Sequence, residues 1–310
     1  MQVSRGVPTL AAHPTVLTIG NFDGIHRGHQ RLFALLREKS RALDLPSTVL
    51  TFEPHPREFF APDRAPARLA SMREKLIGLA EAGVDQAVVV RFDKAFASLT
   101  AEAFIEQVLV RGLATRHLYV GDDFRFGAGR AGGFDLLAAR GDALGFEVEA
   151  MPTLELEGER ISSSAVRSAL ATGRMDHAAR LLGHPYSMAG RVIHGDKIGR
   201  TIGFPTANIQ VRHRRLPLSG IFTVSVEGLG ERPRPGVASV GVRPTVTDAG
   251  RPTLEVHLFD YDGDCYGAHL RVNFLRKQRD EEKYDSLELL TAQIARDAQR
   301  ARDWFATHPL

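Results

Sequence analysis

A single cysteine in 310 residues, Cys265, leaves nothing from which to build an intramolecular disulfide and suits a reducing compartment. No stretch approaches the ~18 consecutive apolar residues of a membrane-spanning helix. The first residues also lack a basic segment leading into an apolar signal core. A soluble, cytoplasmic protein is therefore expected. One-sided charge is scarce too: 40 Lys and Arg stand against 37 Asp and Glu, a formal net charge of +3. That excess is too small to argue for nucleic acid, even with a sequence pI of about 9.2. The densest basic run, RHRR at 212–215, reads as a solvated loop or, alternatively, as a polyanion site. Repeats and low-complexity tracts are missing as well.

What remains is an ordinary globular composition, 43% hydrophobic and 25% charged, in a chain long enough for two domains. Its two halves have different rhythms. In the first, TVLTIG, STVLTF, QAVVVRF and HLYVG are short, rich in β-branched residues and bounded by turn residues, which predicts buried strands. Between them, GHQRLFALLREKSRAL, SMREKLIGLAEAG and TAEAFIEQVLVRG repeat apolar residues at helical spacing. Strand and helix in alternation predict a parallel, doubly wound α/β sheet.

From about residue 184 the strand candidates YSMAGRVI, IFTVSVEG, GVASVGV, TLEVHLF and HLRVNFL follow one another without intervening helices. That order favours an antiparallel sheet or small barrel. Helical periodicity returns only near the end, with Leu287, Leu290, Ile294 and Phe305 expected on one face. A boundary near GHPYSM, after the helical MDHAARLL, gives domains 1–183 and 184–310.

Chemistry in the first half centres on GNFDGIHRGHQ, 20–30, which joins the first strand to the first helix. Ligands of open α/β sheets bind beyond the carboxyl ends of strands, where a helix start offers N–H groups and a partial positive charge. The loop Gly20, Asn21, Phe22, Asp23 and Gly24 is thus a candidate anion-binding loop, its glycines allowing close backbone approach. His26 and His29, three apart, are expected on one helical face, where imidazoles can donate to a phosphate gaining charge in phosphoryl or nucleotidyl transfer. A zinc pair lacks a third and fourth ligand nearby, and an ordinary polar turn stays open. The stretch is neither GxxxxGK[ST] nor GxGxxG. Asp123, in VGDDFRFG, stands in a second strand-to-loop junction as a nucleotide acceptor. ISSSAVR sets Ser163, Ser164 and Arg167 at a helix start, where serines cap or, with the arginine, meet a polyphosphate.

GNFDGIHRGHQRL, TFEPHP, VGDDFRFG and ISSSAVR, in that order, resemble the N-terminal module of the bifunctional prokaryotic riboflavin kinase/FAD synthetase family. The resemblance implies a nucleotidyltransferase whose HxGH histidines are His26 and His29, stabilising the α-phosphate of ATP while the FMN phosphate attacks it. It also implies that Ser163, Ser164 and Arg167 grip the outer phosphates, and that Phe52, Pro54 and His55 contact flavin. Ser164 stands at a position usually threonine; the hydroxyl survives and a methyl is lost.

In the second half, HGDKIGRTIGFPTANIQ offers Gly199 and Gly203 with Lys197 and Arg200 to wrap phosphates, and Thr206 and Asn208 as oxygen ligands for magnesium. A glycine-rich turn region is the plainer alternative. Glu255 and His257 should face one side of their strand, Val256 and Leu258 the other. A carboxylate there can accept the proton of an alcohol attacking a γ-phosphate, or simply face solvent. GRTIGFPTAN, GVASVGVRPT and LEVHLFDYDGDCYG resemble the flavokinase module of the same family. This implies a six-stranded barrel with a C-terminal helix, magnesium–nucleotide held by Thr206 and Asn208, and Glu255 as base on the terminal ribityl hydroxyl. Ile202, Val242 and Phe222 replace a common leucine, threonine and tyrosine.

The resemblance implies a bifunctional enzyme that phosphorylates riboflavin with ATP to FMN and adenylylates FMN with a second ATP to FAD and pyrophosphate. Magnesium would serve both steps, and flavoproteins would receive the products; no nucleic acid or membrane partner is expected. A different nucleotidyl transfer, such as cytidylylation of an alcohol phosphate, is a rival that TFEPHP argues against. A flavin-binding sensor or RNA-binding regulator could dispense with His26, His29 and Glu255 together.

Overall fold

The computed structural model describes the chain except residues 196–198, 200–201 and 244–250. It divides into two compact units, residues 1–66 with 72–162, and residues 67–71 with 163–310.

The first unit is built on six parallel strands: β1 (Gln2–Arg5), β2 (Thr15–Ile19), β3 (Ser47–Glu53), β4 (Gln86–Arg91), β5 (Thr115–Gly121) and β6 (Glu147–Met151), in the order β1-β4-β3-β2-β5-β6. Alternation along each strand sends successive side chains to opposite faces, and both faces are apolar. Val16, Val49 and Tyr119 meet α1 (Arg27–Leu43), α2 (Pro56–Phe60) being peripheral, and α3 (Met72–Glu81), through Phe33, Leu36 and Leu79. On the other face Leu17, Leu50 and Leu118 form a second core with Ile105, Val108, Leu109 and Leu137. The sheet is therefore doubly wound, as the alternation of strands and helices predicts.

The predicted helix over 100–112 is wound in two ways. After the short helices α4 (Lys94–Ala97) and α5 (Ala101–Phe104), residues Ile105–Gly112 continue as a π-helix, the wider coil. Its Gly112 admits the N-terminal segment, since a β-carbon there would collide with Val7 and the Pro8 carbonyl. The helix α6 (Phe134–Leu144) precedes β6. Outer strand β6 is fastened by polar contacts: the buried His117, its pKa lowered by burial, lies 3.1 Å from Glu147 and 3.3 Å from Glu149, and the Lys39 ammonium reaches the same carboxylates at 3.6 and 3.2 Å. A two-stranded hairpin, β7 (Glu155–Leu156) with β8 (Glu159–Arg160), follows.

The second unit is a closed antiparallel barrel of β9 (Tyr186–Ile193), β10 (Ala207–Gln210), β11 (Gly220–Glu227), β12 (Arg234–Arg243), β13 (Arg251–Leu258) and β14 (His269–Arg279), in the order β10-β13-β12-β11-β14-β9. Its interior is filled by alternate residues such as Phe222, Val224, Val256, Val272 and Phe274. Phe222, at the tyrosine-rich position, is fully buried edge-on to Phe274. Helices α7 (Ser163–Ala171) and α8 (Met175–Leu182) pack with this unit, α8 against β9 and β14.

The C-terminal helix α9 (Leu287–Thr307) docks differently from the apolar stripe expected of it. Leu287 is 50% exposed, while Leu290, Ile294 and Phe305 are half-buried beside the fully packed Asp297, Ala298 and Ala301. Small alanines allow close approach, and Asp297 receives a forked contact from the Arg279 guanidinium, Nη2 to Oδ2 at 2.7 Å and Nε at 3.0 Å. Removing one member of a buried pair strands the other charge. Asp297→Ala is expected to lower the stability of the second unit by about 3–5 kcal/mol, measured by urea unfolding; a loss below about 1 kcal/mol would show that the pair does not hold the helix.

Candidate active sites

In the parallel sheet, β3 and β4 lie to one side of β2, and β5 and β6 to the other. Chain direction across the sheet reverses between β2 and β5, the place where α/β sheets open a crevice. GNFDG follows β2 and GDDFRFG follows β5.

The first loop is tightly shaped. Phe22, Gly24 and Ile25 have φ of 46°, 85° and 34°, and non-glycine residues rarely hold such angles without support. The Phe22 side chain provides it by entering the core between His29 and Phe33, with ring centroids 5.2 and 5.1 Å away. Gly20 makes room for that ring, because a β-carbon at 20 would approach it to 2.8 Å. Asp23 is buried in the same loop.

The histidines are not side by side on a helical face. His26 stands outside α1 in extended conformation, and its Nδ1 accepts the His29 amide at 3.3 Å as the helix cap. An accepting Nδ1 makes the ring neutral with its proton on Nε2. Gly28 permits the fold-back, since a β-carbon there would lie 3.1 Å from Nδ1. His29, in the first turn, stacks on His26 with centroids 3.6 Å apart and planes 18° apart. Burial, then His26, then the charge of Lys75 hold the His29 pKa well below the ordinary imidazole value. Among the described residues, His29 Nδ1 and Asn21 Oδ1 are buried and have no hydrogen-bond partner. The His29 nitrogen can serve an anion at this helix start when it carries the proton, whereas the Asn21 oxygen can only accept and needs a donor or a cation.

Asp123 is exposed and 3.3 Å from the Arg160 guanidinium of β8. At the end of β3, Phe52 is half-buried, Pro54 follows Glu53 through a cis peptide, and His55 caps α2 by accepting the Arg57 amide at 3.0 Å. His55 is therefore engaged in local structure through Nδ1. Sequence reasoning passed over the neighbouring aromatics. Phe92 lies 5.7 Å from Phe52 and from Phe60, with Phe59 at 5.6 Å, and Phe60 is 67% exposed. The adjacent pair FF before AP was the available signal. Ser163, Ser164 and Arg167 open α7 in the second unit; Ser164 is exposed, and Arg167 donates to the Ala67 carbonyl at 2.6 Å.

In the barrel, a cavity of about 360 Å³ is lined by Gly199, Thr206, Asn208, Glu255 and His257, with Ser239, Glu281 and Arg279 around them. Strand register builds it. Asn208 lies opposite Glu255 on β13, and Glu255 opposite Ser239 on β12, so the three share one face. Val256 and Leu258 turn into the core, as the alternation predicts. The Asn208 carboxamide occupies the space a β-carbon at Gly195 would need. His257 Nδ1 is 2.9 Å from the Pro205 carbonyl, so that nitrogen carries the proton. Gly203 takes φ 82° in the turn before β10. Lys197 and Arg200 fall outside the described residues. Ser239, which donates to Glu281 at 3.1 Å, was not foreseen; it is the polar residue inside GVASVGV.

Residues 9–165 match the FAD synthetase family and residues 182–305 the riboflavin kinase family. Over 308 residues the chain is 52% identical to the bifunctional riboflavin kinase/FMN adenylyltransferase of Escherichia coli K12, covering 98% of both chains. The Pseudomonas fluorescens protein of the same name is 50% identical over 304 residues, 97% of both. That of Haemophilus influenzae is 45% identical over 307 residues, 98% of this chain and 99% of that one. A crystal structure described as a macrolide-efflux protein from Streptococcus pneumoniae superposes with a TM-score of 0.83 at 31% identity, covering 98% of this chain and 100% of the other. No helix among the described residues of this chain is long and apolar enough to cross a membrane. With both families matched in order along one chain and half the residues shared end to end with its relatives, the chain belongs to the bifunctional riboflavin kinase/FMN adenylyltransferase family.

Proposed function

We propose that the chain converts riboflavin and ATP to FMN and ADP in its barrel, and FMN and a second ATP to FAD and pyrophosphate beside its parallel sheet. The observation that carries this is the pairing, in one chain, of a capped histidine stack at the sheet's switch point with the Asn208–Glu255 register pair in the barrel cavity. The chemistry divides at residue 183: residues 1–183 transfer the adenylyl group and 184–310 the phosphoryl group. The family matches, ending at 165 and beginning at 182, support that division. One cysteine, Cys265, fits a cytoplasmic enzyme whose FMN and FAD pass to flavoproteins.

In the barrel, Glu255 accepts the proton of the terminal ribityl hydroxyl as its oxygen bonds to the γ-phosphorus and the bond to the ADP oxygen breaks. Magnesium takes oxygen donors and keeps phosphates and waters in its shell. The Thr206 hydroxyl and Asn208 carboxamide, lining the cavity with Glu255, fit it and would hold it. Bound there, the ion would neutralise phosphate charge. Gly199 and Gly203, and the cationic side chains of Lys197 and Arg200, would serve the nucleotide's phosphates.

In the first module an FMN phosphate oxygen attacks the α-phosphorus of ATP and pyrophosphate leaves. His26 and His29 donate to the oxygens where negative charge grows, with the loop Gly20–Gly24 bringing backbone amides close. Asp123 receives the nucleotide. Flavin stacks at Phe52, Pro54 and His55, where the aromatic wall through Phe92 to the exposed Phe60 offers rings at 5.7 Å spacing.

Glu255→Gln is expected to slow riboflavin phosphorylation by roughly 10²–10⁴-fold and leave FMN adenylylation within twofold, with His29→Ala doing the reverse by roughly 10²-fold. Chromatography of the flavins reads both; equal loss of both activities in either variant would overturn the division of labour. Thr206→Val should raise the magnesium concentration for half-maximal phosphorylation roughly tenfold, and an unchanged requirement would remove Thr206 from the ion's shell. His29 should remain neutral at pH 6.5, where an ordinary imidazole is half protonated, and titrate higher once ATP is bound. Histidine NMR titration measures both, and half-protonation at or above pH 6.5 without ATP contradicts the buried, cation-flanked setting.

A further inference from the structure

Helix α3 carries a lysine where packing alone would be served by an apolar side chain. Lys75 is only 6% exposed, and its ammonium donates to Thr51 Oγ1 at 3.4 Å. The Thr51 hydroxyl donates in turn to the Asn21 carbonyl at 3.4 Å. Asn21 begins the loop in which Phe22, Gly24 and Ile25 hold positive φ, so this relay grips the loop at its entry. Its exit rests on the same helix. One turn beyond Lys75, a β-carbon at Gly78 would come within 2.7 Å of Ile25 Cδ1, so the bare glycine is what lets Ile25 lie against α3. Residues three apart share a helical face, and that face supports both ends of the loop.

Burying an ammonium is costly, and a hydroxyl-to-carbonyl chain polarised by a cation is stiffer than a neutral one. We propose that Lys75 is a positioning residue for adenylyl transfer: through Thr51 it fixes the Asn21 peptide and hence the histidine cap, and it sets a permanent positive charge behind the site where the α-phosphate gains negative charge. The inference rests on the adenylyl-transfer reading. The charged or titratable groups set against His29 are His26 in the cap and Lys75 on α3, with Asp23 buried in the loop between β2 and α1. His26 and Lys75 both disfavour protonation of His29, so loss of the lysine charge must raise its proton affinity.

The test uses the full chain with Lys75→Met, which keeps length and loses charge, and Lys75→Arg, which keeps charge. FAD formation from FMN, riboflavin phosphorylation, thermal unfolding and the His29 titration are measured on each. Lys75→Met should slow FAD formation at least tenfold, mainly in kcat, leave phosphorylation within twofold and move the His29 titration upward; Lys75→Arg should recover part of the rate. Wild-type FAD formation by Lys75→Met, or a loss with an unmoved His29 titration, overturns the proposal. If Lys75→Met does not fold, Gly78→Ala decides: it keeps the charge but displaces Ile25, and an undiminished adenylylation rate there overturns the support role of α3. A wild-type chain that makes no FAD sinks the adenylyl-transfer reading itself, whereas equal FAD formation by wild type and Lys75→Met sinks only the lysine's part.

Discussion

The hydrogen bond from the His29 amide to His26 Nδ1 is the constraint around which the first unit's site is arranged. A serine or aspartate caps a helix more commonly than histidine does. Here the cap is a ring, and closing it fixes the tautomer and brings the second imidazole into a stack at 3.6 Å. The glycine between them supplies clearance rather than an unusual backbone angle, since a β-carbon there would press on the His26 ring. The pattern His-x-Gly-His is thus three statements about one turn: a cap, a gap and a second ring at the third helical position. That turn meets the crevice because strand order reverses between β2 and β5.

The barrel applies the same logic with register in place of capping. Closure leaves each strand one partner on either side, and a slip by one residue would turn Glu255 into the core and Val256 toward the cavity. Polar function on one face and Leu254, Val256 and Leu258 on the other hold that register together. Arg279 and Asp297, which also line the cavity, tie the last helix to the strand that precedes it.

Much of this was legible in the sequence where signals were strong and local. The strands TVLTI and STVLTF announce themselves by β-branched runs, and MDHAARLL by its helical period. Strands β1, β6 and β10 escaped because they are short, and β1 and β6 lie at the sheet's margins, where half-exposed polar residues blur alternation. The hydrophobic period of TAEAFIEQVLVRG gives no hint that its last two turns are π-wound. The apolar stripe assigned to α9 misjudged Leu287, because the helix is held by alanines and an ion pair whose partners lie 18 residues apart in sequence. His26 was foreseen as important but not as a cap, for spacing alone cannot distinguish the residue before a helix from one within it. Lys75 left no sequence mark, since buried and exposed lysines look alike on an amphipathic helix.

The charged cluster on β6 has a consequence beyond fastening that strand. A sheet margin with unsatisfied backbone groups is a template for another chain, and flat apolar margins invite runaway fibre growth. With Glu147 and Glu149 standing along β6 and Lys39 reaching both, an incoming strand from a second molecule would confront charges it could not match. The barrel, being closed, offers no such margin. At that margin, protection against self-templated pairing lies in side chains rather than in the backbone.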